Sequence, residues 1–330
     1  MMPYPRISIV IPAYNEAKVL SHTITEIIDI LIRISKPFEV IVIDDGSIDN
    51  TWEVLNALSK THRFLRAIRF ARNFGKEAAI YAGLQHVSGE AAIVMDADLQ
   101  HPPNLIEKMI DAWEQEKAYI VEAIKETRQP ENTLKRLGAT IFYAMFTRLG
   151  LNLRQSTDYK LLDRRVIDQY LKFPERNRFF RGLTAWMGFK IKSISFIPES
   201  RQASFGLSRW SLMSLFRMAR YSLLAFTTIP LRIVTWLGTA TLMISVLLSL
   251  QTLWNKLNGH AVEGFTTVIL IQLFIGSIVM ISLGLIGEYL SCVYEEIKGR
   301  PIYIVVDSID RTDRHGASVT MQEFLNRSHS

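Results

Sequence analysis

The sequence predicts an α/β domain built on a mostly parallel sheet, followed by a membrane hairpin of two helices. Three observations carry that expectation. Short β-branched runs alternate with helix-periodic segments through the first hundred or so residues, the pattern of a helix-covered parallel sheet. Polar, turn-forming clusters stand directly after three of those runs, at 12–16, 44–47 and 96–100. Two long stretches nearer the carboxyl end, Ile233 to Asn255 and Gly264 to Gly287, hold no Asp, Glu, Lys or Arg.

The elements follow in order. Ile7-Ser8-Ile9-Val10-Ile11 reads as a strand stopped by Pro12, which has no N–H to give a ladder. Apolar residues at Val19, Leu20, Ile24, Ile27 and Ile28 mark a helix from about Glu16 to Ile34. Phe38 to Ile43 is a second β-branched strand, closed by Asp44-Asp45-Gly46-Ser47. Thr51 to Leu58 fits a helix, Arg66 to Phe70 a short strand, and Lys76 to His86 another helix. Ala91-Ala92-Ile93-Val94-Met95 is the apolar run of a buried strand, ending at Asp96-Ala97-Asp98-Leu99-Gln100.

Composition agrees with two kinds of environment. The chain has 330 residues, 48% of them hydrophobic and 21% charged, a mixture that suits a globular part joined to a membrane part. The net charge of +6 fits an anionic membrane surface or phosphate ligands as well as it fits nucleic acid. One cysteine, Cys292, excludes an internal disulfide and leaves the redox compartment open. The apolar run ended by Pro12 is too short and too poorly flanked for a signal peptide, so the first domain is expected in the cytoplasm.

A spanning helix needs about 20 residues, and both charge-free stretches reach that length. Arg209, Arg217, Arg220 and Arg232 precede the first, and Lys298, Arg300, Arg311 and Arg314 follow the second. The positive-inside rule then puts both ends in the cytoplasm and the short loop outside, with Glu288 at the cytoplasmic interface. The competing interpretation is a pair of buried helices in a soluble core. Ahead of the hairpin, Leu212, Leu215, Phe216, Ala219, Leu223 and Phe226 share one arc with arginines alongside, as in an interfacial helix or a simple linking helix. Ile302 to Val306 is strand-like, and the end is polar. The expected layout is an α/β domain at 1–205, an interfacial helix at 206–228, a two-span hairpin at 229–290 and a cytoplasmic tail at 291–330.

Three polar motifs at successive strand ends converge on one crevice at the carboxyl edge of a parallel sheet, where α/β proteins bind ligands. Alternate carboxylates at such an edge, Asp96 and Asp98, can grip a hard divalent cation, which commonly carries a nucleotide diphosphate. Each motif also has an ordinary role: Asn15-Glu16 as a helix cap, 44–47 as a turn. A dinucleotide-binding Rossmann site is excluded, because no Gly-x-Gly-x-x-Gly follows the first strand, and no P-loop is present.

The ordered set Pro12-Ala13-Tyr14-Asn15-Glu16, Asp44-Asp45-Gly46-Ser47, Ala71-Arg72-Asn73-Phe74-Gly75-Lys76, Asp96 to Gln100 and Pro174-Glu175-Arg176-Asn177-Arg178 resembles glycosyltransferase family 2. Within it, the chain is similar to the polyprenyl-phosphate glycosyltransferases, which include dolichol-phosphate mannose synthase and the GtrB-type bactoprenol glucosyltransferases. The likeness runs from about residue 6 to about residue 300, including Pro230-Leu231-Arg232 before the first span.

That resemblance implies a GT-A-type domain and roles for single residues. Pro12, Tyr14 and Glu16 match residues lining the base and ribose, Asp44 and Asp45 those that hydrogen-bond the base, with Ile43 and Ala97 beside the nucleotide. Asp98 and Gln100 match the metal ligands, with Asp96 near the ribose and the metal shell. Asp158 matches a carboxylate beside the sugar's reacting carbon and, with Asp98, is the catalytic candidate. Lys125 falls where relatives usually have arginine, near the phosphates. Arg136, Lys160, Arg201, Ser208 and Arg209 are the other phosphate- or acceptor-binding candidates, and Gly206-Leu207-Ser208-Arg209-Trp210 resembles a loop that closes over the diphosphate. Three departures stand out: Ala203 where arginine is usual, Lys125 without the planar fork that grips phosphate bidentately, and Thr157 where glycine is common.

The chemistry has its own logic. Breaking a sugar–diphosphate bond requires stabilising the departing charge, which a divalent cation, Mg2+ or Mn2+, supplies. A lipid monophosphate acceptor has a second pKa of about 6 and is largely ionised at neutral pH. It needs little from a base, so Asp158 is expected to orient groups or to stabilise positive charge at the sugar carbon, with general base as the lesser alternative. The implied reaction is inverting, metal-dependent transfer of one hexose, with glucose from UDP-glucose as the expected donor, to polyprenyl (undecaprenyl) phosphate at the cytoplasmic membrane face. A bilayer partner and a homo-oligomer are expected, nucleic acid is not. Two rivals are a processive polysaccharide synthase, which needs more spans and a Gln-x-x-Arg-Trp motif where position 206 is Gly, and a non-enzymatic membrane scaffold. Intact Asp96, Asp98, Gln100 and Asp158 speak against the scaffold.

Overall fold

The computed structural model describes residues 6–98, 102–125, 156–176, 178–196, 229–258 and 264–310. They divide into two compact units, one holding a sheet with its helices and the other a pair of long apolar helices.

In the first unit β1 (Ile7–Ala13), α1 (Ala17–Ile34), β2 (Phe38–Asp44), α2 (Thr51–Thr61), β3 (Leu65–Phe70), α3 (Lys76–His86) and β4 (Ala91–Val94) alternate as the sequence predicts. After them come α4 (Leu105–Glu116), β5 (Ile120–Lys125), β6 (Lys160–Asp163), α5 (Arg164–Lys172), α6 (Phe180–Trp186) and β7 (Ile191–Phe196). With β8 (Val305–Ile309), the described strands form one sheet in the order β7-β5-β6-β4-β1-β2-β3-β8. β1 runs parallel to β2 and β4, and β2 to β3. Only β6 and β8 run against their neighbours. The expected mostly parallel α/β sheet is therefore present.

Its central strands β1 and β2 are apolar as far as Asp44 except for Ser8 and Glu39, which are buried and hydrogen-bonded to each other at 2.7 Å. Every residue of β2 is buried, and α1 turns Val19, Leu20, Ile24, Ile27, Ile28 and Leu31 into the core. The buried side of α3 is rich in small residues, with Ala78, Ala79, Ala82 and Gly83 beside Ile80 and Leu84. Such small residues let the helix backbone lie close to the sheet, and a Cβ on Gly83 would run into the Val10 side chain. That tight seat fixes where α3 begins, and so places Lys76 at the carboxyl edge of the sheet.

The segment after the second long helix holds the last described strand. Its strand falls at Val305–Ile309, slightly later than the expected 302–306, and pairs antiparallel with β3. Ala71 N–H donates to the Ile304 carbonyl at 2.9 Å. The Tyr303 ring stacks on Phe70 with centroids 4.8 Å apart, and its hydroxyl donates to Gln85 Oε1 at 2.8 Å. At the far end Arg66 links Asp310 to the buried Glu39, at 2.9 and 2.8 Å.

The second unit consists of α7 (Ile229–Leu257) and α8 (Phe265–Ile297). Within them Val234–Asn255 and Ile271–Ile297 are long and apolar enough to cross a membrane. Leu242, Met243, Leu247, Phe274, Met280 and Ile281 are exposed on their surfaces. Hydroxyls along these helices turn back on the preceding turn: Thr239 donates to the Thr235 carbonyl, Thr241 to Leu237 and Ser282 to Ile278. This satisfies them without water, as a hydrocarbon environment demands. The expected interfacial helix at 206–228 lies outside the described residues.

Candidate active site

β4, β1 and β2 are neighbours in the sheet and parallel, so the three polar motifs do open at one edge. The first two are tied to each other. Asn15, in the left-handed region at φ 56, donates its N–H to Ser47 Oγ at 2.9 Å, and its side-chain oxygen accepts the Ile48 N–H at 2.9 Å. Glu16 N–H donates to Thr51 Oγ1 at 3.0 Å. Pro12 and Glu16 are partly buried, Tyr14 is exposed, and Ile43 is fully buried within β2.

Asp44 and Asp45 both brace loops. Asp44 is fully buried; its Oδ1 accepts the Ser47 N–H at 2.9 Å. Its Oδ2 lies 3.4 Å from Arg69 Nε and has no hydrogen-bond donor among the described residues. Asp45 accepts two backbone N–H groups from the loop before α3, Phe74 at 2.7 Å and Gly75 at 2.9 Å. Burial pushes the Asp45 carboxyl up to about 6, against the pull of those two bonds. Gly46 between this carboxylate and Ser47 has φ +66, and a Cβ there would overlap the Arg72 backbone. Only glycine fits that approach.

At the β4 end, Ala97 is buried and its carbonyl accepts the Thr23 hydroxyl of α1 at 2.9 Å. Asp96 and Asp98 are partly buried. The antiparallel β6 delivers a further carboxylate to the same place. Val94 pairs with Lys160, so Asp158, just ahead of β6, arrives beside Asp96, just past β4.

Two cations that sequence reasoning gave no role hold this pair. Lys76, the first residue of α3, donates to Asp96 Oδ1 at 2.5 Å and to Asp158 Oδ2 at 2.7 Å. Arg181 on α6 grips Asp158 from the other side, Nε to Oδ1 at 2.6 Å and Nη2 to Oδ2 at 2.9 Å. Burial alone would raise the Asp158 carboxyl; the ammonium and guanidinium outweigh it and hold Asp158 well below the usual carboxylate range. Glu77 completes the cluster. Its Oε2 accepts the Phe180 N–H at 2.8 Å, fixing the start of α6, and burial pushes its carboxyl up to about 8. A signal for Lys76 was present: a cation at a helix amino terminus opposes the helix dipole, so it needs anions close by.

Lys160, expected among the phosphate- or acceptor-binding residues, lies in the interior of the domain. It is fully buried, with Nζ 3.2 Å from Glu122 Oε2 and 3.1 Å from Thr184 Oγ1. Burial lowers the pKa of its ammonium although Glu122 opposes the shift. Its charge is neutralised inside the domain rather than offered to a phosphate at the surface. Lys125 is the last residue of β5. Gln100, Arg136, Arg201, Ser208 and Arg209 lie outside the described residues.

The donor set suits a substrate-borne cation. Among the described residues no three His, Cys, Asp or Glu side chains gather to hold a metal by protein ligands alone. Asp96 and Asp98 offer two hard carboxylates, the number that fits an ion sharing its shell with phosphates and water.

Residues 8–171 match the profile of glycosyl transferase family 2, and residues 229–293 that of the GtrB C-terminal hairpin. The chain is 36% identical over 304 residues to an uncharacterised glycosyltransferase of Synechocystis sp., covering 91% of this chain and 95% of that one. It is 36% identical over 308 residues to a putative glycosyltransferase of Bacillus subtilis, with 92% of each covered. Identity to a prophage-derived bactoprenol glucosyl transferase of Shigella flexneri is 34% over 311 residues, covering 92% and 98%.

Proposed function

The chain belongs to glycosyl transferase family 2 and is a glycosyltransferase, and from that premise we propose that it moves one glucose from UDP-glucose to a polyprenyl phosphate at the cytoplasmic face of a membrane. The observation that carries the reading is the meeting of Asp96 with Asp158, Lys76 and Arg181 at the carboxyl edge of the sheet, in a chain that covers nearly all of a relative named for bactoprenol glucosyl transfer.

The residues divide the work by their chemistry. Asp44 Oδ2, a buried acceptor without a donor among the described residues, suits the N–H of a pyrimidine base. Asp96 and Asp98 would hold Mg2+ or Mn2+, which supplies charge neutralisation on the departing diphosphate when bound. Asp158 does not take a proton: a carboxylate held so acidic is a poor base, and a phosphate acceptor arrives already ionised. It instead keeps Lys76 and Arg181 in place, and those two cations screen one anion from the other as acceptor and donor approach. A single displacement by the acceptor oxygen inverts the sugar carbon. The two apolar helices keep the enzyme at the bilayer that carries its acceptor.

Radiolabelled nucleotide sugars, offered in turn to the purified protein with a short polyprenyl phosphate, test this reading by extraction of the lipid. Label is expected in the lipid from UDP-glucose, in the presence of a divalent cation. Labelled lipid from none of the donors overturns the proposal. Asp98→Asn should abolish transfer, and retained activity in excess magnesium would remove Asp98 from the ligand set.

A further inference from the structure

The carboxyl edge of the sheet already holds a cation belonging to the chain. Lys76 Nζ lies 2.5 Å from Asp96 Oδ1, closer than its 2.7 Å contact with Asp158. We propose that Lys76 is a built-in counter-ion that occupies the Asp96 carboxylate until a diphosphate draws it away, so that divalent cation and nucleotide bind as a coupled pair and not independently. The inference rests on the reading of Asp96 and Asp98 as ligands of a diphosphate-bearing cation.

Charge balance is the first support. Lys76 and Arg181 carry two positive charges against the two negative charges of Asp96 and Asp158. A divalent cation added alone must displace Lys76 from Asp96 or sit beside a second cation on one carboxylate. A diphosphate added alone draws Lys76 away and leaves the Asp96 carboxylate, with Asp98 nearby in sequence, uncompensated beside it. Added together, they exchange partners: the anion takes the ammonium and the metal takes the carboxylate.

The second support is mechanical. Lys76 hangs from the first turn of α3, where helix N–H groups and the dipole favour an incoming phosphate. Gly83 seats that helix against Val10, so its start does not shift. The long lysine stem can swing from Asp96 while its contact with Asp158 persists. Asp158 stays put meanwhile, because Arg181 holds both of its oxygens.

The test is Mn2+ binding to the detergent-solubilised full chain, read by electron paramagnetic resonance of free Mn2+, with and without saturating UDP. In the wild-type protein UDP is expected to tighten Mn2+ by about tenfold or more, and Mn2+ must tighten UDP by the same factor. Lys76→Met should bind Mn2+ alone about five- to tenfold more tightly than wild type, with the gain from UDP reduced to about threefold or less. Independent binding of Mn2+ and UDP in the wild-type protein overturns the proposal without recourse to any variant. So does a folded Lys76→Met, identified by a circular-dichroism melt like that of wild type, that holds Mn2+ no more tightly than wild type. If UDP binds but Mn2+ never does, the cation reading itself has failed, which is a different result from uncoupled binding of both.

Discussion

Arg181 holds Asp158 along both carboxylate oxygens, Nε to Oδ1 at 2.6 Å and Nη2 to Oδ2 at 2.9 Å. The bidentate grip joins α6 to the strand edge and leaves Asp158 a permanent anion between two cations. Its ionised form therefore stabilises the fold above its unfolded pKa of about 4, and that stabilisation disappears only as pH falls through the lower folded value.

Arg181→Ala removes one of those cations and lets the Asp158 carboxyl rise. The acid limb of kcat should move to higher pH, and unfolding stability should drop by about 1–3 kcal/mol. Arg181→Lys, which keeps the charge but not the fork, should restore part of the stability and less of the rate. A kcat–pH profile with thermal melts at two pH values checks both.

Glu77 works in the opposite direction. Its carboxyl is pushed up to about 8 by burial, so between about pH 4.5 and 8 the folded chain holds a proton that the unfolded chain has lost. Stability contributed by this group falls as pH rises through that window. Glu77→Gln keeps a carbonyl for the Phe180 N–H and has nothing to ionise. Its melting temperature should depend less on pH from 5 to 8 and exceed that of wild type at pH 8, whereas Glu77→Ala should be less stable at every pH.

Asp45→Asn leaves one carboxamide oxygen where two carboxylate oxygens now meet the Phe74 and Gly75 N–H groups. One of these donors then faces an NH2 group. A stability loss of about 1–3 kcal/mol is expected, and with the loop before Lys76 loosened, KM for the nucleotide sugar should rise by roughly tenfold while kcat changes less. Steady-state kinetics over a donor series will separate the two parameters.

Tyr303→Ala removes a ring stacked on Phe70 and a hydroxyl bonded to Gln85. The melting temperature should fall by several degrees, corresponding to about 1–3 kcal/mol. Tyr303→Phe retains the stack and should cost only about 1 kcal/mol. An unchanged melting temperature for both would mean that β8 contributes little to the sheet.

The parallel half of the sheet was legible in the residues because each strand is a buried apolar run followed at once by turn-forming groups. Pro12, Asp44 and Asp96 mark the ends of such runs, and all three fall at one edge. The other half was hidden. β6 has four residues, and β7, Ile191–Phe196, mixes Lys192, Ser193 and Ser195 with its apolar positions and is largely exposed. Lys160 looks like a surface cation until the register sets it opposite Glu122 across β5 and β6. Neither residue announces the other, since the pairing exists only once two distant strands are aligned. Lys76 lay inside a recognised motif, yet its partners come from two other strand ends. Arg181 is brought to Asp158 by the placement of α6, which no local pattern encodes.

The edge strand β8 has a consequence in time. Tyr303 and Gln85 are 218 positions apart, roughly 10 to 45 s of synthesis at 5–20 residues per second. Through that interval Phe70 lacks its stacking partner and β3 presents a bare edge, which is the kind of surface that recruits other strands. Both apolar helices emerge from the ribosome before the strand that covers it. Completion of the sheet thus waits on synthesis of both apolar helices, and a chain halted between them and β8 displays its defect as an open sheet.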